Sequence, residues 1–165
     1  MLTSAEQKVI SAVDALGVPY ELIPIDPAYA DTAAFCQHYG YPLECSANTI
    51  IVASHREPKQ LAACVVLATT QLDVNKRVRK LLGVSRASFA TAEEMMALTG
   101  MQVGGVTPFA LPAGLSLYVD ARIMQLDWIL LGSGGRAAKI KIAPAVFITL
   151  GAVIVADLGR ERSTP

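Results

Sequence analysis

Apolar residues recur along this chain with two periods, and the points where the period changes mark the elements. Val9, Ile10, Val13 and Leu16 fall at helical spacing. Ser4-Ala5-Glu6-Gln7 ahead of them has the form of a capping box, and Gly17 closes the run, so a first helix is expected between them. In residues 18–24, Pro19 and Pro24 flank a strand-like core, which predicts an edge strand because a central one needs every amide. Asp31 is placed to cap a short second helix ending near Gly40. Residues 48–53 and 61–68 are strand-like runs, and the polar stretch 54–60, with Pro58 in it, reads as a hairpin turn.

Farther along, Asp73 caps a third helix with Val74, Val78, Leu81 and Leu82 inward and Gly83 as its stop. Thr91-Ala92-Glu93-Glu94 is a second capping box, for a helix that ends at Gly100. Strands are expected over 115–119, 128–131 and 138–142. Pro144 can open a helix through Leu150, and 153–155 reads as a last buried strand. Irregular alternation of helices with hairpin-joined strands predicts the α+β class, a mixed sheet with helices outside it. No repeat, low-complexity segment or linker interrupts the chain, so one domain is expected over 1–165.

Composition narrows the class. Hydrophobic residues make up 53% and charged residues 17%, which favours folding over disorder. The formal net charge is zero, so any RNA contact must be local rather than a general basic coat. Cys36, Cys45 and Cys64 form no C-x-x-C and cannot all pair, which suits a reducing cytoplasm. The start lacks the basic and apolar regions of a signal peptide. The longest uncharged apolar stretch, 142–156, contains Pro144 and Gly151 and falls short of the roughly 18–20 residues a span needs. A soluble, cytoplasmic chain is expected.

Two glycine-rich loops carry the candidate chemistry. After Thr99-Gly100 comes Gly104-Gly105-Val106-Thr107-Pro108, where glycines allow close backbone approach and the proline stiffens the exit. Such a loop can aim main-chain N–H groups at a developing oxyanion; a tight structural turn needs the same residues. The second loop, Gly132-Ser133-Gly134-Gly135-Arg136, lacks P-loop spacing but could form an anion nest beside a fixed charge, or be a plain turn with a surface arginine. Lys76, Arg77, Arg79 and Lys80 form a basic helical face suited to phosphates, or simply a solvated one. Cys36-x-His38 with Cys45 matches no common zinc spacing, and neither His38 nor His55 sits in a nucleophile motif. Cys64, within an apolar strand, reads as core.

The order Thr-Gly, Gly-Gly-Val-Thr-Pro, and then Leu130-Leu131-Gly132-Ser133-Gly134-Gly135-Arg136, resembles the YbaK family. These are the freestanding prolyl-tRNA editing domains related to the insertion domain of bacterial prolyl-tRNA synthetase. The resemblance extends over most of the chain, including Asp31-Thr32 and Gln71-Leu72-Asp73-Val74-Asn75-Lys76. It implies a strongly curved sheet and hydrolysis of the ester of a mischarged aminoacyl-tRNA. It also implies catalytic positions at Asn48, Gly104, Gly105, Thr107 and Pro108, with substrate contacts at Thr32, Lys76, Ser133, Gly134, Arg136 and Lys139. Ser133 would form part of the pocket wall. The implied partners are the aminoacylated 3′ end of tRNA and an aminoacyl-tRNA synthetase, with no membrane, no DNA, no metal and no organic cofactor. Three positions depart from the family. Asn48 stands where deacylating members carry a lysine, Lys139 where they carry a pocket aspartate, and Ile25 where they carry a tyrosine. A catalytically silent binding module on the same fold is the alternative that Asn48 raises.

Overall fold

A computed structural model describes residues 1–162. The elements are α1 (Ser4–Ala15), β1 (Tyr20–Pro24), α2 (Thr32–Tyr39), β2 (Ala47–Ser54), β3 (Leu61–Leu67) and β4 (Thr70–Leu72). They continue with α3 (Arg79–Leu82), β5 (Ala87–Phe89), α4 (Ala92–Thr99), β6 (Ser116–Asp120), β7 (Ile129–Gly132) and β8 (Ala138–Ile142). The last are α5 (Val146–Thr149), β9 (Val153–Val155) and β10 (Gly159–Glu161). The fold is α+β, as the pattern predicts.

A five-stranded mixed sheet runs β5-β2-β3-β6-β9, antiparallel through β2–β3 and parallel through β3–β6 and β6–β9. A three-stranded antiparallel sheet, β1-β8-β7, joins it through a bridge between Ser46 and Leu130. β10 pairs with β4 alone. β1 is an edge strand, where its prolines cost no ladder bond. β3 is central and covered on both faces, which explains its unbroken apolar run in place of alternation.

The two faces of β2 and β3 feed different cores. Ala47, Ile51, Ala63 and Val65 meet Val9 and Val13 of α1, Met95 of α4, Phe109 and Phe147. Val52, Ala62, Cys64 and Val66 meet Leu72, Val78 and Leu158 beneath α3. Burial pushes the Cys64 thiol up to about 12, as befits a core residue. A third cluster seats Phe35 and Cys36 of α2 on Ile23, Ile25 and Leu130.

Some boundaries differ from expectation. The α1 cap is Thr3, one residue earlier than the sequence suggests, with Glu6 closing the box. α3 is preceded by a wider helical turn, Val74–Val78, closed by the Val78 N–H to Asp73 O at 3.1 Å. α5 is a single turn, because Pro144 and Gly151 leave room for little more. β9 lies at the sheet edge, where Val153 is 52% exposed and only Val155 is buried, so the strand expected to be buried is so at its last residue alone. β4, β5 and β10, three residues each, are too short to show a period in sequence and exist through their pairings.

Candidate functional site around Asn48 and the start of helix α2

Asp31 precedes α2, but its side chain makes no bond to the helix amides. Its carboxylate instead accepts from Arg136 Nη1 at 3.2 Å. The same guanidinium donates to the Val103 carbonyl at 3.3 Å and the Pro27 carbonyl at 3.2 Å. Arg136 therefore clasps three segments together: the turn before α2, the start of α2 and the first glycine loop. The ion pair is partly solvated and contributes roughly 0–1 kcal/mol by itself, so the two carbonyl bonds matter as much. Those donors are spent inside the protein, which leaves Arg136 a smaller share for phosphate than the sequence suggests.

The two glycine loops interlock. Gly134 N–H donates to Gly105 O at 2.6 Å, and Gln102 N–H to Gly134 O at 3.1 Å. A Cβ on Gly105 would lie 2.6 Å from the Gly135 nitrogen, and one on Gly132 would lie 2.6 Å from the Val106 carbonyl oxygen. These glycines thus let one backbone rest on another. Gly134 and Gly135 do the same against α1, where added carbons would meet Val9 and Glu6 at 2.8 and 2.5 Å. In the first loop the exposed residues are Gln102 to Gly104, while Gly105, Thr107, Pro108 and Phe109 are buried. Thr107 Oγ1 is buried with no partner among the described residues. The segment expected to face substrate as a whole presents only its leading end, because its second half packs into the core.

Ser133, expected at the pocket wall, is fully buried, and its hydroxyl donates to Glu6 Oε2 at 2.8 Å. Glu6 is itself buried. It accepts from Ala137 N–H at 3.1 Å on the same oxygen, and from the Thr3 N–H and hydroxyl at 3.0 and 3.1 Å on the other. The capping carboxylate of α1 thus also holds the second loop. Its signal in sequence was the capping box, which gave no hint of this second duty.

Asn48 occupies the second position of β2, half-buried, and its Oδ1 accepts from Thr32 Oγ1 at 2.8 Å. That bond ties the mouth of β2 to the first residue of α2. Asn48 lines two adjoining cavities of about 430 and 440 Å³. Thr32, Ala33 and Thr69 share the first, Gln71 and Phe89 share the second, and Arg162 reaches both. The structure therefore joins Asn48, Thr32, Arg136 and Gly104 around one helix start, through Asp31. Arg162 and Phe89 were missed in the sequence, where an Arg-x-Arg outside any periodic run and a phenylalanine in a three-residue strand carry no strong pattern.

Lys139, on β8, points away from the main core, and its ammonium lies 5.6 Å from the Phe35 ring centroid. It is only 7% exposed and has no ion pair among the described residues. Desolvation holds its pKa below the ordinary lysine value; Cys36 and Asp31 act in the opposite sense, and Arg136 adds to the depression. It lies against Phe35 of α2, opposite Ile23 of β1, and does not line the cavities next to Asn48. Lys76 and Lys80 are exposed near α3. Arg79 is engaged with the Asn75 and Ser85 carbonyls, and Arg77 lies 4.0 Å from Asp157. Among the described residues no helix is long and apolar enough to cross a membrane.

The chain resembles known proteins in sequence and in fold. The chain is 27% identical over 88 residues to the protein YwhH of Bacillus subtilis (strain 168), covering 53% of this chain and 55% of that one. It is 25% identical over 108 residues to a proline–tRNA ligase of Paraburkholderia phymatum, covering 65% of this chain and 19% of the ligase. The chain thus spans about half of the first relative and a fifth of the second. Among solved structures, the hypothetical protein APE2540 superposes with a TM-score of 0.83 at 28% identity, over 93% of this chain and 99% of that one. A structure described as "a putative trans-editing enzyme for prolyl tRNA synthetase" shares the fold, with a TM-score of 0.83 at 20% identity, over 98% of this chain and 100% of that one. The family model for the aminoacyl-tRNA editing domain matches residues 26–150, from the turn before α2 through α5, and the chain belongs to that family.

Proposed function

We propose that the chain hydrolyses the ester of a mischarged aminoacyl-tRNA in trans. The observation that carries this reading is the Thr32–Asn48 bond at the wall of the cavity beside α2. With Oδ1 engaged by Thr32, the Asn48 amide presents its N–H groups as donors. The first turn of a helix leaves N–H groups without intrahelical partners, at the positive end of its dipole. Together they form a donor set suited to an ester carbonyl whose oxygen gains charge as the tetrahedral intermediate forms. Water attacks the carbonyl carbon, the bond from that carbon to the ribose oxygen breaks, and the water's proton ends on the departing ribose hydroxyl. Free amino acid and tRNA result. Arg136, bonded to Asp31, Val103 and Pro27, holds the start of α2 in place, and Lys76 and Lys80 offer charge to the tRNA backbone. The similarity to a proline–tRNA ligase supports a synthetase-linked substrate.

One observation favours a second reading, a binding module without catalysis: Asn48 brings no charge to a position where related deacylases carry a lysine. A deacylation screen across a panel of aminoacyl-tRNAs separates the two. Release of amino acid above the spontaneous rate, reduced by Thr32→Val and Asn48→Ala, supports hydrolysis. Measurable affinity for tRNA ends with no release for any aminoacyl group establishes the binding module.

A further inference from the structure

Three cavities adjoin through shared walls. Those of about 430 and 440 Å³ share Asn48 and Arg162, and that of about 440 Å³ shares Gln71, Leu72 and Phe89 with a third of about 270 Å³. The third also takes in Asn75 and Arg160, and Asn75 directly precedes Lys76. A single track therefore runs from Asn48 past Phe89 to the base of the lysine-bearing helix.

Its lining has a particular chemistry. Phe89 is 55% exposed, although it is one of the larger apolar side chains of the protein. It sits in β5, the outermost strand of its sheet, with an arginine-bearing cavity on either side. Arg160 and Arg162 are two residues apart on the run that opens with β10, and alternation places such residues on one face, about 6.6–6.8 Å apart along the strand. That run is firmly anchored. The Gly159 N–H donates to the buried Asp120 carboxylate at 2.7 Å, and its carbonyl accepts from Arg122 Nη1 at 2.6 Å. A Cβ on Gly159 would lie 2.5 Å from Thr70 Oγ1, so the strand fits closely against β4.

We propose that this track binds the unpaired 3′ end of an RNA, with Phe89 stacking on a base and Arg160 and Arg162 pairing with the flanking phosphates. An exposed aromatic face between cations is the arrangement that holds single-stranded nucleic acid, since every base has a π-face and every linkage a charge. Gln71 and Asn75 add amide donors and acceptors along the path. The strand then delivers its terminal nucleoside to Asn48. The assignment of RNA as the occupant rests on the proposed editing function; the track itself rests on Phe89 and the two arginines. It also resolves how a chain of zero net charge engages RNA, by local charge placed beside a stacking surface.

The test uses the full chain and a fluorescein-labelled ACCA oligoribonucleotide, read by anisotropy, with melting curves confirming that each variant is folded. Phe89→Ala is expected to weaken binding by about tenfold. Arg160→Ala and Arg162→Ala should each weaken it several-fold and reduce the slope of log affinity against log salt by roughly 0.7. Removal of the single-stranded 3′ end from a whole tRNA should lower its affinity to a similar degree. The proposal is overturned if the oligonucleotide does not bind wild type at millimolar concentration, or binds all three variants as it binds wild type. If hydrolysis proceeds unchanged in the three variants, the track fails while the editing function stands. If no ester is cleaved but ACCA binding depends on Phe89 and the arginines, the track stands and hydrolysis fails.

Discussion

Replacing Gly105 with alanine tests whether the pair Gly104-Gly105 serves ligand approach or backbone packing. The new Cβ would stand 2.6 Å from the Gly135 nitrogen and 2.7 Å from its carbonyl carbon, with the Gly135 oxygen also in its path. Unstrained contacts of this kind lie at roughly 3.5–4.0 Å, so the loops must part by about 1 Å. Parting them stretches the Gly134 N–H to Gly105 O bond of 2.6 Å and the Gln102 N–H to Gly134 O bond of 3.1 Å. Each contributes about 1 kcal/mol net, and overpacking adds about 1–3 kcal/mol. The sum is about 3–5 kcal/mol, or about 6–20 °C in Tm for a chain of this size. Gly104→Ala is the control. Its Cβ meets the Arg136 guanidinium whose Nη1 bonds Asp31 and Val103, so its cost combines the left-handed φ of +84°, about 1–2 kcal/mol, with the loosening of that clasp and involves no contact with the Gly135 backbone. Thermal melts and urea titration of both variants decide the matter. A Gly105→Ala protein melting within about 2 °C of wild type would refute the packing argument.

Further outcomes follow from the same structure. Glu6→Ala strips the acceptor from the Ser133 hydroxyl and the Ala137 N–H and should destabilise by about 2–4 kcal/mol, more than Ser133→Ala, as read by urea denaturation. Lys139→Met should raise the neutral-pH Tm. The folded state holds the Lys139 pKa below its unfolded value, so unfolding takes up a proton and the wild-type penalty is fully present below the folded pKa. That penalty fades as pH rises toward the ordinary lysine range, so the gap between variant and wild type should narrow in melts at increasing pH, and a constant gap contradicts it. Reversing charge at Lys76 and Lys80 together should weaken every tRNA about equally and flatten the salt dependence; unchanged affinity would show a merely solvated face.

The α4 capping box, the Asp73 cap, the glycine stops, the edge placement of β1 and the β2–β3 hairpin were all legible in the sequence, because each is set by residues within a few positions of one another. The order of the two glycine loops was legible for the same reason, and it sufficed to indicate the family. What the loops do to each other was not. That Gly105 rests on Gly135, that Ser133 turns inward to Glu6 across 127 positions, and that Arg136 clasps Asp31 and Val103 are contacts between segments remote in sequence. Short strands such as β5 and β10 have no period of their own and exist through the neighbours they pair with, so Phe89 and Arg162 came to Asn48 only when the sheet assembled. Local chemistry set the elements, and long-range packing decided which glycines support the scaffold and which side chains surround Asn48.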